Sequence, residues 1–295
     1  MSNLNVLLLG GHGKVALHLT PLLLARSWNV TSVIRNPAHE SEILALAESD
    51  KVRGKLSVLV SSLDDVKASA DAAKIISQVD PDYVVWSAEQ REGNSGCSLM
   101  AYTGAGGKGG PSRTIAVDEV AAKAFITASY AHPRVKKFLL VSWIGSRRTK
   151  PSWFTDVDWS HSRNTFDNVL PTYAKAKLEA DEFLTAHAAV RNRQSAAGKA
   201  GMLDAICLRP GLLTDESATG RVTLGKTKSE GKVSRENVAR VADALLAKEG
   251  SKGWVDLLDG EEEIGDAVER VVREGVDVVE GEDVDAMVKR FGLDG

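Results

Sequence analysis

Two residues four apart, Tyr173 and Lys177, carry the first hint of chemistry. They open a stretch of helical periodicity at 173–191, and side chains at i and i+4 of a helix share one face. An ammonium beside a phenol favours the phenolate, so such a pair can hand over or take up a proton near neutral pH. Ser142 follows an apolar run at 138–141 and ends it with a hydroxyl suited to bonding a substrate oxygen. Plainer readings exist for all three. A tyrosine can simply pack at a helix start, a lysine can sit on a solvated face, and a serine can bond at a strand end.

The second group of residues suits an anion. Gly10-Gly11-His12-Gly13-Lys14-Val15-Ala16 lies between an apolar run at 5–9 and a helical pattern at 14–26. Glycines at 10 and 13 permit a tight turn and close approach of a pyrophosphate, and Ala16 is small enough for helix–sheet packing. The helix N-terminus then offers free N–H groups and a positive dipole end. The spacing is GxxGxxA, not GxGxxG; its position after a buried strand and before a helix is what makes it a dinucleotide signal rather than an ordinary turn. The second apolar run ends Val33-Ile34-Arg35. An acid there would take the ribose 2′-hydroxyl of NAD, whereas arginine can grip the 2′-phosphate of NADP through a bidentate fork. Lys14 and His12 add positive charge nearby, so NADP(H) is expected over NAD(H).

The elements that must position these groups alternate between strand and helix along the chain. Strands are expected at 5–9, 30–34, 56–60, 83–86, 138–141, 204–208 and 254–258. Helices are expected at 14–26, 41–49, 64–78, 114–131, 173–191, from Ser234 onward, 264–273 and 284–291. That order predicts an α/β Rossmann fold, a doubly wound parallel sheet with helices on both faces. Ser87 and Ala88 close the fourth strand at the expected crevice, and Ser62 and Leu63 follow the third. Residues 1–295 are expected to form a single domain with no linker. A glycine-rich loop at 89–111 would lie beside the crevice, and 212–295 would supply a small substrate-side region and an acidic helical tail. The polar, Trp-rich stretch at 145–171 reads as another long connection. In the segment 143–159, Trp143, Trp153, Phe154, Trp159, Arg147, Arg148 and Lys150 would either build a pocket for a planar or acidic substrate or pack the loop onto the body.

Composition narrows the class. The formal net charge is −3 in 295 residues, with fourteen acids and four bases from Val255 onward. No nucleic-acid partner is expected from that balance, and the acidic tail reads as a solvated face. Two cysteines, Cys97 and Cys207, make neither a disulfide framework nor a metal cluster, so no metal is expected and a reducing, cytoplasmic setting fits. His132, His161 and His187 read as surface or loop residues. No apolar stretch is long enough for a membrane span.

Together these motifs resemble the atypical short-chain dehydrogenase/reductase family, in the NAD(P)H-binding branch related to NmrA-like and flavin-reductase-like proteins, and most of all its fungal-type members. The resemblance runs through 10–16, 33–37, 104–109, 138–142, 173–177, Leu208-Arg209-Pro210-Gly211 and 233–239. It implies Tyr173 as proton donor or acceptor, Lys177 on the ribose, Ser142 polarising a carbonyl, and Pro210 and Gly211 beside the nicotinamide. Two departures stand out. The family's acid after the third strand is replaced by Ser61-Ser62-Leu63, which leaves adenine contact to Ser62 or to backbone. About fifteen residues, 89–103, also separate Ala88 from the glycine stretch, as a lid or as retained intron sequence. The expected function is an NADPH-dependent reductase of a small carbonyl, quinone or flavin. The alternative is an NmrA-like sensor that binds NAD(P) without turnover and regulates a protein partner. A nucleotide-sugar epimerase or dehydratase fits less well, because the chain after Gly211 is short.

Overall fold

A computed structural model describes residues 3–88, 110–198 and 201–294. Most of the glycine-rich stretch at 89–111, with Cys97 and the 104–109 motif, lies outside the described residues. Of that stretch only Gly110 and Pro111 are described, at the start of a helix.

Four largely apolar runs become the first four strands: β1 (Asn5–Leu9), β2 (Asn29–Ile34), β3 (Leu56–Val60) and β4 (Tyr83–Trp86). β5 (Lys137–Val141) and β6 (Asp204–Pro210) follow, then β7 (Leu212–Thr214), β8 (Arg221–Gly225), β9 (Lys232–Ser234), β10 (Gly253–Asp259) and β11 (Glu262–Glu263). The main sheet runs β11-β8-β10-β6-β5-β4-β1-β2-β3, and β7 pairs with β9 in a separate ribbon. From β3 to β10 the main sheet is parallel; β8 and β11 extend the β10 edge antiparallel. The strand order reverses between β1 and β4, which is where open α/β sheets present a ligand crevice.

The helices are α1 (Lys14–Ala25), α2 (Glu40–Ala45), α3 (Ser69–Val79), α4 (Gly110–Thr114), α5 (Ala122–Ala131), α6 (Asp156–Asn164), α7 (Pro171–Ala196), α8 (Arg235–Ala247), α9 (Ile264–Glu274) and α10 (Val284–Arg290). Alternation along β1 explains the two layers. Leu7 and Leu9 face a core with Ile76, Phe125, Leu184 and Met287. Val6 and Leu8 face one with Leu19, Leu23, Val241 and Val271. Helices α3, α5, α7 and α10 therefore cover one face and α1, α8 and α9 the other, as a doubly wound sheet requires.

Several boundaries differ from expectation, and one connection was misread. The stretch at 145–171 contains α6 and a π-wound turn at Thr165–Val169. Thr155 caps α6 by accepting from the Asp158 N–H, and the Asp158 carboxylate bonds back to the Thr155 N–H. That reciprocal cap offsets the poor apolar character of the helix. The helix leading into α5 starts at Gly110 and winds as a π-turn over Ile115–Ala121. His187 is not a surface residue: it is buried inside α7 against Tyr130 and Phe183. The acidic tail is more than a solvated face. Asp256 is buried in β10, Glu282 pairs with buried Arg147, and Asp277 receives the Trp254 N–H.

Candidate functional site

The glycine turn follows β1 and meets the end of β4. Gly10 has φ +82°, and a Cβ there would lie 2.5 Å from the Ala88 Cα. A Cβ on Gly11 would strike the Ser32 hydroxyl, and one on Gly13 would crowd the Ser87 carbonyl at 3.3 Å. The turn thus lies directly on Ser87 and Ala88, both buried. α1 begins at Lys14 with Gly13 as its cap. No side chain caps it and no acid occupies its first turn, so its leading N–H groups and its dipole are left for an anion. These features fit a dinucleotide pyrophosphate. Val15 is buried in the α1 face of the core.

At the carboxyl end of β2, Arg35 stands exposed, its Nη1 3.4 Å from Asp64 Oδ2. Arg113 holds the other oxygen of Asp64 at 2.8 Å. These two cations draw the Asp64 carboxyl below its usual range, against the opposing effect of partial burial. Ser62 caps the short turn that carries Asp64, and Leu63 is buried beneath it. His12 stacks on His39, ring centroids 3.6 Å apart, and its Nε2 lies 2.7 Å from Glu42. Lys14 reaches away from the turn to Asp215, which also takes Arg235.

At the other end a cavity of about 460 Å³ opens at the carboxyl ends of β5 and β6. Ser142, Tyr173, Pro210 and Gly211 all line it, although they come from three separate stretches of chain. Trp143, Leu170 and Leu213 supply apolar wall. His161 from α6 pairs with Glu230 at this wall, and Lys232 pairs with Glu216. Gly211 is required by packing: a Cβ would come 2.5 Å from the Gly231 carbonyl oxygen. Of the aromatic and basic residues singled out between 143 and 159, Trp143 lines the cavity and the others do not. Trp153 and Phe154 cover the Arg147 guanidinium, Arg148 pairs with Glu182 and Lys150 with Asp156.

Behind the cavity wall lies a charged cluster in which the predicted Lys177 joins Asp118, Asp181 and Asp256, acids that sequence reasoning missed. Lys177 is buried, 3.1 Å from Asp118 Oδ1, and donates to the Val141 carbonyl at 3.2 Å. Its ammonium is 5.5 Å from the Tyr173 ring centre. Asp118 sits in the π-wound turn, and burial pushes its carboxyl up against the pull of Lys177 and Arg113. One turn beyond Lys177, Asp181 accepts from both Ser142 and Ser146. Arg209 donates to Asp256 at 2.9 Å and to the Ile144 and Ser146 carbonyls, with its guanidinium 4.3 Å from the Trp254 ring. Burial raises Asp256 to about 6, opposed by Arg209 and Arg147. The available signal was the stripe Tyr173, Lys177, Asp181, which continues the i+4 spacing with a third polar residue.

The β1–α1 turn at the switch point and the cavity at neighbouring strand ends define a nucleotide-binding Rossmann protein. The match to known proteins makes this specific. Residues 10–249 match the family described as NAD(P)H-binding, and the chain belongs to that family. A relative, UPF0659 protein C216.03 of Schizosaccharomyces pombe, is 32% identical over 271 residues, covering 90% of this chain and 94% of its own. A Bacillus halodurans structure assigned provisionally to the NAD-dependent epimerases/dehydratases superposes with a TM-score of 0.64 at 24% identity, covering 91% of this chain and all of its own. ChuY, an anaerobillin reductase of Escherichia coli, superposes at 0.57 with 18% identity, covering 88% and 98%. These two structural likenesses establish the fold. No helix among the described residues is long and apolar enough to cross a membrane.

Proposed function

We propose that the chain is an NADPH-dependent reductase of an uncharged carbonyl, quinone or flavin, of the atypical short-chain dehydrogenase/reductase type. The observation that carries this reading is the shared wall of Ser142, Tyr173, Pro210 and Gly211 around one cavity at the carboxyl ends of β5 and β6. Bound NADPH supplies a hydride. Tyr173 donates the accompanying proton, Ser142 orients the acceptor oxygen, and Lys177, beside the end of β5, holds the nicotinamide ribose. The helix α1 N-terminus and the glycine turn bind the pyrophosphate, with Gly10, Gly11, Gly13, Ser87 and Ala88 shaping the passage. Arg35 supports NADPH over NADH: it is an exposed cation after β2, where an acid would select NADH.

The cavity lining favours an uncharged acceptor over a nucleotide sugar. Among the described residues that line it, the basic side chains are His161 and Lys232, and each already faces an acid. A diphosphate would need cations free to receive it.

A sensor that binds NAD(P) without turnover is the second reading. Ser142 and Lys177 favour it, because the Ser142 hydroxyl donates to Asp181 and the Lys177 ammonium is ion-paired with Asp118 and donates to the Val141 carbonyl. NADPH oxidation by the purified protein against flavins, quinones and small carbonyls, with Tyr173→Phe in parallel, separates the two. A carbonyl acceptor whose rate falls in the variant supports the reductase with tyrosine as acid. Equal rates with a flavin or quinone replace tyrosine by direct hydride acceptance. Binding without oxidation of NADPH supports the sensor.

A further inference from the structure

Tyr173, Lys177 and Asp181 occupy successive turns of one face of α7, and the third of them has no role in the reading above. Asp181 is fully buried, and its Oδ2 accepts hydrogen bonds from Ser142 at 2.7 Å and Ser146 at 2.8 Å. Its Oδ1 has no hydrogen-bond partner among the described residues. Arg209 approaches only to 3.8 Å, and its own hydrogen bonds go to Asp256 and two carbonyls. A buried carboxylate without a close ion pair is costly.

A serine hydroxyl has one hydrogen. While Asp181 is ionised it takes that hydrogen from Ser142, and Ser142 presents only lone pairs to the cavity it lines. In that state Ser142 can accept from a ligand but cannot polarise a carbonyl.

We propose that Asp181 is a positioning residue whose charge state sets the direction of the Ser142 hydroxyl, so that Ser142 donates to a substrate oxygen only when Asp181 carries a proton. The catalytic consequence rests on the reductase reading; the hydrogen transfer between Asp181 and Ser142 does not. The proton belongs on Oδ2, where the Ser142 oxygen can accept it, since Oδ1 faces no acceptor among the described residues. Ser142 also provides the route. Its oxygen takes a proton from a hydronium ion in the cavity as its own hydrogen passes to Oδ2; O–H bonds form at Ser142 and Oδ2, O–H bonds break in the hydronium and at Ser142, water is left behind, and the cluster gains one positive charge.

The surroundings place this change in a useful range. Burial pushes the Asp181 carboxyl up to about 6, opposed in turn by Arg209, the two serine hydroxyls and Lys177. From β6 the charged or titratable neighbours are Arg209 and the Cys207 thiol, and from α7 Lys177. Asp256 on β10 and Arg147 lie beyond Arg209, and Asp118 lies beyond Lys177. The donor form is therefore half lost near pH 6, and the loss continues as pH rises.

The test is the pH profile of NADPH-dependent carbonyl reduction in wild type, Asp181→Asn and Ser142→Ala, with NADPH affinity measured across the same range. Wild-type turnover should fall about tenfold per pH unit above an inflection near 6. In Asp181→Asn, whose amide N–H donates to Ser142 at every pH, the inflection should disappear and the low-pH level persist. Ser142→Ala should also lack the inflection but remain at the high-pH level, and NADPH affinity should stay flat in all three. An inflection retained in Asp181→Asn would overturn the proposal. If no acceptor is reduced at all, the reductase reading fails, and infrared titration still decides the Asp181 part. A protonated-carboxyl C=O band that grows in below pH 6 and shifts in Ser142→Ala and Ser146→Ala supports the hydrogen transfer. No such band, or one indifferent to both serines, refutes it. The serine variants keep this test available should Asp181→Asn fail to fold.

Discussion

Replacing Arg35 by serine should separate NADPH from NADH binding. The guanidinium stands at the end of β2, more than half exposed, with one long contact to Asp64 at 3.4 Å. Arg113 holds Asp64 more closely, at 2.8 Å. Arg35 can therefore turn to a 2′-phosphate without leaving Asp64 unpaired. A charge-assisted hydrogen bond contributes about 1.5–3 kcal/mol. Solvent screening at an exposed site lowers that to about 1–2 kcal/mol. The Kd for NADPH should then rise roughly 5- to 30-fold in Arg35→Ser, while the Kd for NADH, which has no phosphate there, should stay within about twofold of wild type on the same scale. Titration of nicotinamide fluorescence with both cofactors measures the two constants. The Asp64→Asn variant is the control, and it should retain the NADPH preference because Arg35 remains. If the two affinities fall together in Arg35→Ser, or neither changes, the 2′-phosphate assignment is wrong.

Three further outcomes follow from the packing. Arg209→Met strands the buried carboxylates of Asp181 and Asp256 and should lower stability by about 3–5 kcal/mol, read by denaturant unfolding, with part of the loss recovered in the double variant with Asp256→Asn. Gly10→Ala forces a side chain into a left-handed backbone position against Ala88, and should destabilise by more than about 1 kcal/mol and weaken NAD(P)H binding; unchanged melting and affinity would show that the turn relaxes freely. His187 is buried without a hydrogen-bond partner among the described residues, and burial lowers its pKa to about 4. The unfolded chain therefore binds a proton that the folded one does not as pH falls from about 6.5 to 4. Wild type should lose up to about 1.4 kcal/mol per pH unit across that window relative to His187→Leu, and parallel stability curves would contradict this.

Much of the frame was legible because burial on both faces writes itself as apolar sequence. β1 and β4 fall where the runs at 5–9 and 83–86 place them, and the half-buried edge strand β3 also falls on its run at 56–60. The N-cap at Ser234 was equally plain, and its hydroxyl accepts from the Asn237 N–H. Short strands were not legible: β7, β9 and β11 have two or three residues, too few for any period to register. α6 was lost because its composition is polar and only the Thr155–Asp158 cap marks it. The charged cluster was hidden for a different reason. Periodicity assigns charges to the surface, whereas Asp118, Lys177, Asp181, Arg209 and Asp256 are buried by pairing with groups far away in sequence. Lys177 meets Asp118 and Ser142 meets Asp181 only after β5, α7 and the π-wound turn have come together.

The central claim is hydride transfer from NADPH within the Ser142–Tyr173 cavity. The direct measurement is mass spectrometry of the product formed from a carbonyl acceptor and NADPH deuterated at one face of nicotinamide C4. The account predicts one deuterium on the product carbon from one labelled face and none from the other, in a reaction lost on Tyr173→Phe. NADPH that binds tightly yet leaves no deuterium in any acceptor, from either face, would contradict it.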